Sequence, residues 1–393
     1  MNPPDAPPIR IALLGVDDAT LALTQAVVAD HRYELVGACE LDNAGPSLAH
    51  LGRLRRFEHW ESLLDPSAVD AVIVARGANE DLRADQLRKL VQAAMPVLVA
   101  HPVVASMLVY YELDMIRRDT RSAVVPYLPL RHHPGVSAVA ELVAEGASSP
   151  VGRVEQVVFD RQLTRPDKPA VLTAFARDVD VVRAVAGDMT RLGAMAAGHK
   201  SESYAGLGVQ MSGPGAVVAR WSVGPADASS AARLTVLGDR GKAELDLRDD
   251  APWRLQVTAA GQTTAREFDP WNPAAAALDQ LALAIGGAAA SPDWVDASRA
   301  IELSETIDRS LAKGRTIELY YEDYTEEGTF KGTMASVGCG LLMLTLGLLV
   351  FVALAEQMGL PFLKYWPHVV VGGLAVFLLA QLLMLVFRRG DDR

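Results

Sequence analysis

Between residues 10 and 127 short apolar strands alternate with helix-period segments, and this alternation restricts the fold more than any other feature of the chain. Strand patterns cover 10–15, 33–39, 69–75, 97–100 and 123–127. Helical periodicity covers 18–30, about 81–94 and about 103–119 between them. Successive strands joined by helices must run parallel, because each crossover lays its helix on a face of the sheet. The run VDAVIVA at 69–75 is apolar throughout, as a strand buried on both faces requires. The expected unit is an α/β, doubly wound parallel sheet over 9–127.

The second half has a different texture. A strand pattern at 152–160 and a helix at 171–186 precede a run of strands between 201 and 257. The turn GDRG at 238–241 joins two of these as a hairpin. Helices follow at 274–285 and 296–313, the latter stopped by Gly314. Strands in succession imply a mostly antiparallel open sheet, so 128–320 is read as an α+β domain. The first strand–helix turn reads Gly15-Val16-Asp17-Asp18-Ala19-Thr20, and Glu40 and Asp42 close the second strand. A Rossmann domain places its pyrophosphate turn and its ribose-binding acid at these two points.

Residues 334–355 carry no charge over 22 positions, and 369–387 form a second apolar run of 19. About 20 apolar residues cross a bilayer core, so both are read as transmembrane helices after a linker at 321–333. A buried core hairpin is the alternative reading. Arg388, Arg389 and Arg393 follow the second run, Arg315 and Lys331 precede the first, and only Lys364 lies between. That asymmetry predicts an inner, cytoplasmic membrane protein with both termini inside. The net charge of −11 argues against nucleic-acid binding. Cys39 and Cys339 cannot pair, and no metal-ligand spacing occurs.

Five segments in order resemble the Gfo/Idh/MocA oxidoreductase family over roughly 9–320: VDAVIVA, MPVLVAHPVV, LPLRHHPGVSAVAELVAEGASSPVGRVEQVVF, RLTVLGDRGKAELDL and DASRAIELSETIDRSLAKGRTIEL. The resemblance implies a Rossmann domain that binds NAD or NADP. It also implies an α/β domain whose open sheet shapes the substrate site and pairs in a homodimer. Members transfer hydride to or from sugars and polyols.

The chain departs from this pattern where the chemistry lies. Only Gly15 matches the glycine loop; Asp17 and Thr20 hold the other two glycine positions. A carboxylate there repels a pyrophosphate, or instead caps the following helix. The family lysine falls at His101, which can still pass a proton near neutral pH. The catalytic histidine falls at Arg177, which cannot be a base but can hold an anion or pair with Asp178 or Asp180. Asp180 and Arg183 match the family's helix pattern, whereas Thr173 and Phe175 do not. Arg131, His132 and His133 stand at the entry to the second domain, lining a cleft or solvated.

Three readings follow. The first is a pseudo-oxidoreductase serving as a binding or scaffolding module. The second is an active NAD(P)-dependent enzyme using His101 as acid/base, Arg177 as anion clamp and Glu40 at the ribose. The third is a structural membrane protein.

Overall fold

The computed structural model describes residues 7–41, 54–196, 204–215, 217–226, 231–248 and 251–319. The two apolar runs, the linker before them and Asp42 lie outside the described residues. Among the described residues no helix is long and apolar enough to cross a membrane.

The first half forms β1 (Ile9–Leu14), α1 (Asp18–Ala29), β2 (Tyr33–Cys39), β3 (Ala71–Val74), α2 (Glu80–Gln92), β4 (Val97–Ala100), α3 (Met107–Thr120) and β5 (Val124–Tyr127). The five strands make one parallel sheet in the order β2-β1-β3-β4-β5. Every residue of β3, β4 and β5 is buried, which explains the unbroken apolar run in the sequence. The strand order reverses between β1 and β3. A crevice opens at such a switch point, beyond the carboxyl ends of the strands.

The second half contributes α4 (Pro134–Ala144), β6 (Val154–Leu163), α5 (Lys168–Ala186), β7 (Arg191–Met195), β8 (Gly208–Ser212), β9 (Val218–Pro225), β10 (Ala231–Gly238), β11 (Gly241–Arg248), β12 (Arg254–Ala259), β13 (Gln262–Glu267), α6 (Pro273–Ile285), α7 (Trp294–Lys313) and β14 (Ile317–Glu318). Nine strands form a sheet in the order β13-β12-β11-β10-β6-β9-β8-β7-β14, antiparallel except for the β6–β9 pair. The GDRG turn joins β10 to β11 as the sequence predicts. Alternate residues of β10 and β11, such as Leu234, Val236, Ala243 and Leu245, point into the core. Arg233, Lys242, Glu244 and Asp246 line the opposite face.

The sequence boundary at 127/128 does not divide the core. Ala274, Ala277, Leu278 and Leu281 of α6 pack with Ile11, Leu13 and Val27 of the first half. The Tyr33 hydroxyl donates to the Leu278 carbonyl at 2.9 Å. On the other side of the parallel sheet, Trp294 of α7 stacks on Tyr110 at 4.7 Å between ring centroids. Its indole N–H donates to the Tyr110 carbonyl at 2.9 Å. Two helices from the second half therefore complete the core of the first.

Candidate functional site

The chain after β1 enters α1 through Gly15, whose φ of +78° lies in the left-handed region. A Cβ there would stand 2.7 Å from Nη2 of Arg83, so glycine is required on both counts. Asp17 is the N-cap of α1. The Thr20 amide donates to Asp17 Oδ1 at 2.8 Å, and the Asp17 amide donates to Thr20 Oγ1 at 2.8 Å, a reciprocal capping box. Of the two alternatives for Asp17, the cap is the one observed. Its second oxygen is also engaged: the Arg76 amide, just beyond β3, donates to Asp17 Oδ2 at 2.9 Å. The carboxylate thus bridges β1 and β3 across the switch point. The Thr20 amide at this end of α1 is met by a carboxylate of the protein itself, where a bound phosphate would stand.

At the end of β2, Glu40 adopts φ of +56°, uncommon for a residue with a side chain. Its carboxylate is held by two groups from α2. Arg83 Nη2 donates to Glu40 Oε2 at 3.0 Å, and the Gln86 amide donates to Oε1. Arg83 is 3% exposed and Gln86 fully buried, so this network forms part of the wall. The acid expected at a ribose is already engaged with an arginine.

His101 ends the approach of β4 to the crevice, but its ring does not enter it. The side chain is 2% exposed, its Nδ1 lies 3.3 Å from the Tyr110 hydroxyl, and its Nε2 is buried without a partner among the described residues. Burial first, then the Arg177 charge, pushes its pKa down to about 3. The ring is a neutral packing element at neutral pH, not a proton carrier facing the cleft.

Arg177 of α5 is different. It forms no ion pair with Asp178 or Asp180, contrary to the expectation from sequence. Its Nε donates to the His101 carbonyl at 2.9 Å, and no carboxylate among the described residues lies within salt-bridge distance. Asp178 is taken by Arg161, whose Nε donates at 2.9 Å, and by the Trp221 indole at 3.0 Å. Asp180 is 1% exposed and pairs with Arg131, which also reaches Asp296 at 2.8 Å. Burial raises the Asp180 carboxyl pKa despite this partner. Asp180 therefore ties α5 to α7 away from the cleft. Arg131 belongs to the same clamp, and His133 caps α4 and stacks on Trp253 at 3.6 Å between centroids. Neither lines the cleft, and neither is solvated.

The cleft itself has a volume of about 530 Å³. Arg76, Arg161, Arg177, Asp17, Asp18, Asp178 and Tyr127 supply its polar lining. Arg76 Nη1 donates to Thr173 Oγ1 at 3.1 Å, one helical turn before Arg177. The guanidinium of Arg177 stays open to solvent although protein surrounds it on most sides, and this crowding lowers its pKa. Burial pushes the Tyr127 phenol up to about 12, so it keeps its proton. Arg76, Arg83 and Tyr127 were not singled out from the sequence. The signal for Arg76 and Tyr127 was their position at the carboxyl ends of β3 and β5. Arg83 carries no such signal.

No protein-family model and no curated protein matches the sequence. Solved structures do match in fold. An oxidoreductase from Agrobacterium radiobacter, solved with NAD+, L-tartaric acid and magnesium, is 15% identical. The match covers 79% of this chain and 98% of that one, with a TM-score of 0.65. A myo-inositol dehydrogenase from Corynebacterium glutamicum is 20% identical over 80% of this chain and 99% of that one, at 0.62. An aldose-aldose oxidoreductase from Caulobacter crescentus, complexed with glycerol, is 17% identical over 79% and 100%, at 0.66. At these identities the likeness establishes the fold alone, which this chain shares with the three oxidoreductases named.

Proposed function

We propose that this protein is a redox-inactive binding and scaffolding module built on an oxidoreductase fold. The Asp17 carboxylate carries this reading. It caps α1 and takes the Arg76 amide, so the turn offers a negative charge where a pyrophosphate needs free donors. Glu40 is likewise held by Arg83 and Gln86. The residues present do not fit a dinucleotide in the pose that Rossmann folds use. A rebuilt hydride-transfer site would need His101 in the cleft, and its ring is buried against Tyr110. The charge-free runs 334–355 and 369–387 support attachment to the inner membrane face, with both termini in the cytoplasm. We further propose a homodimer through the uncovered face of the nine-stranded sheet, which light scattering at micromolar concentration would detect or exclude.

The test is turnover. Full-length protein in mild detergent is incubated with NAD+ or NADP+ and a panel of polyols and sugars, and the nicotinamide absorbance is followed. No reduction above the blank is expected. Sustained reduction that depends on both protein and polyol would overturn the reading.

A further inference from the structure

The closed dinucleotide turn leaves the cleft beside it open, and its chemistry is that of an anion receptor. Arg177 spends Nε on the His101 carbonyl, which fixes the direction of the side chain. Its two Nη groups have no hydrogen-bond partner among the described residues, and the side chain is exposed within the cleft. Arginine presents those donors as a planar fork that matches two oxygens of a carboxylate or phosphate. Arg76 Nη1 rests on Thr173, one turn along α5, and its Nη2 lies 3.4 Å from Glu80 at the exposed edge, so a second, partly engaged guanidinium lies on the same side of the helix. The Tyr127 hydroxyl has no partner among the described residues and also lines the cleft, adding a neutral donor.

The other charges of the cleft are committed. Asp17 caps α1 and Asp178 is bound by Arg161 and Trp221, so neither carboxylate is drawn to Arg177. Asp18 is exposed at the rim. Ala22, Pro129, Leu130, Leu163 and Ala174 supply the apolar part of the lining. A volume of about 530 Å³ suits a compact organic molecule rather than a polymer.

We propose that this cleft binds a small organic oxyanion, a carboxylate or phosphate on a compact body, with Arg177 as its anchor and Arg76 and Tyr127 as supporting donors. The inference rests on the reading that the dinucleotide turn is closed, because a bound cofactor would compete for the same mouth.

Isothermal titration of full-length protein in mild detergent tests it, with succinate, inorganic phosphate and uncharged erythritol as separate probes. Saturable binding of succinate or phosphate and none of erythritol is expected; which anion binds tells carboxylate from phosphate recognition. Arg177→Gln should weaken that binding at least about tenfold, the loss of one charge-assisted pair, while Arg177→Lys keeps part of it. Lys168→Gln, outside this cleft, should leave it unchanged. Should Arg177→Gln fail to fold, Tyr127→Phe is titrated instead and should weaken the anion several-fold. Anion binding that is equal in wild type and Arg177→Gln would overturn the proposal, as would no binding of either anion. An NADH arm separates the two claims. Micromolar NADH binding that survives Arg177→Gln refutes the closed turn, whereas failure of the anions alone refutes only the receptor.

Discussion

Replacing Asp17 with alanine isolates the interaction on which the account depends. The variant removes the acceptor of the Thr20 amide and of the Arg76 amide, both within 3.0 Å of a carboxylate oxygen. Loss of an N-cap costs about 1 kcal/mol. The second hydrogen bond, to a charged but half-exposed acceptor, adds about 1 kcal/mol after discounting for solvent. The sum of about 2 kcal/mol corresponds to a fall of about 3 °C in Tm for a body of this size. Asp17→Asn keeps the cap through its amide oxygen but turns an NH2 toward the Arg76 amide, so it should lose only the second bond, about 1 kcal/mol. Both are measured by circular dichroism on thermal and urea denaturation. An alanine variant as stable as wild type would refute the capping role. An asparagine variant as damaged as alanine would show that the charge, not the cap geometry, is what matters.

Acid should destabilise the fold through its histidines. Burial lowers His133 to about 4 and His101 to about 3, so between the ordinary histidine value and these the unfolded chain binds more protons. Stability is therefore full above about pH 6.5 and falls as pH drops, by up to about 1.4 kcal/mol per unit for each histidine. The raised Asp180 carboxyl offsets part of this, since it takes up its proton in the folded state. Urea midpoints that do not move between about pH 7 and about pH 5 would contradict the burial of both rings. Asp180→Ala should cost about 2–3 kcal/mol by leaving Arg131 half-paired in a buried site, yet leave cleft binding intact; a change in ligand affinity larger than the change in stability would return Asp180 to the site. For topology, a cysteine placed at Gln357 should react with an external impermeant reagent and one at Gly390 should not, with the reverse pattern inverting the orientation.

The parallel sheet was legible because its strands are buried on both faces and its helices keep their period. The β10–β11 hairpin was legible from its turn. β12 and β13 were harder to see: every residue of β13 is exposed, so no alternation marks it. The cap at Asp17 could be read from local spacing, since Thr20 lies three residues on. The partner of Glu40 could not, because Arg83 arrives from 43 residues away. Helical spacing suggested that Arg177 would pair with Asp178 or Asp180. Both carboxylates meet half-buried arginines from other elements instead: Asp178, one residue on, is turned about 100° from Arg177, and Asp180, on the same face at three residues, is taken by Arg131. His101 stands at the expected strand end, but which way its ring turns depends on Tyr110, and no pattern in the sequence encodes that contact.

Titration of full-length protein with NADH and NADPH, followed by nicotinamide fluorescence and by calorimetry, tests the central claim most directly. With the Asp17 carboxylate on the Thr20 and Arg76 amides and Arg83 on Glu40, neither cofactor should saturate the protein below about 1 mM. Saturable binding of either one at micromolar concentration would contradict the account.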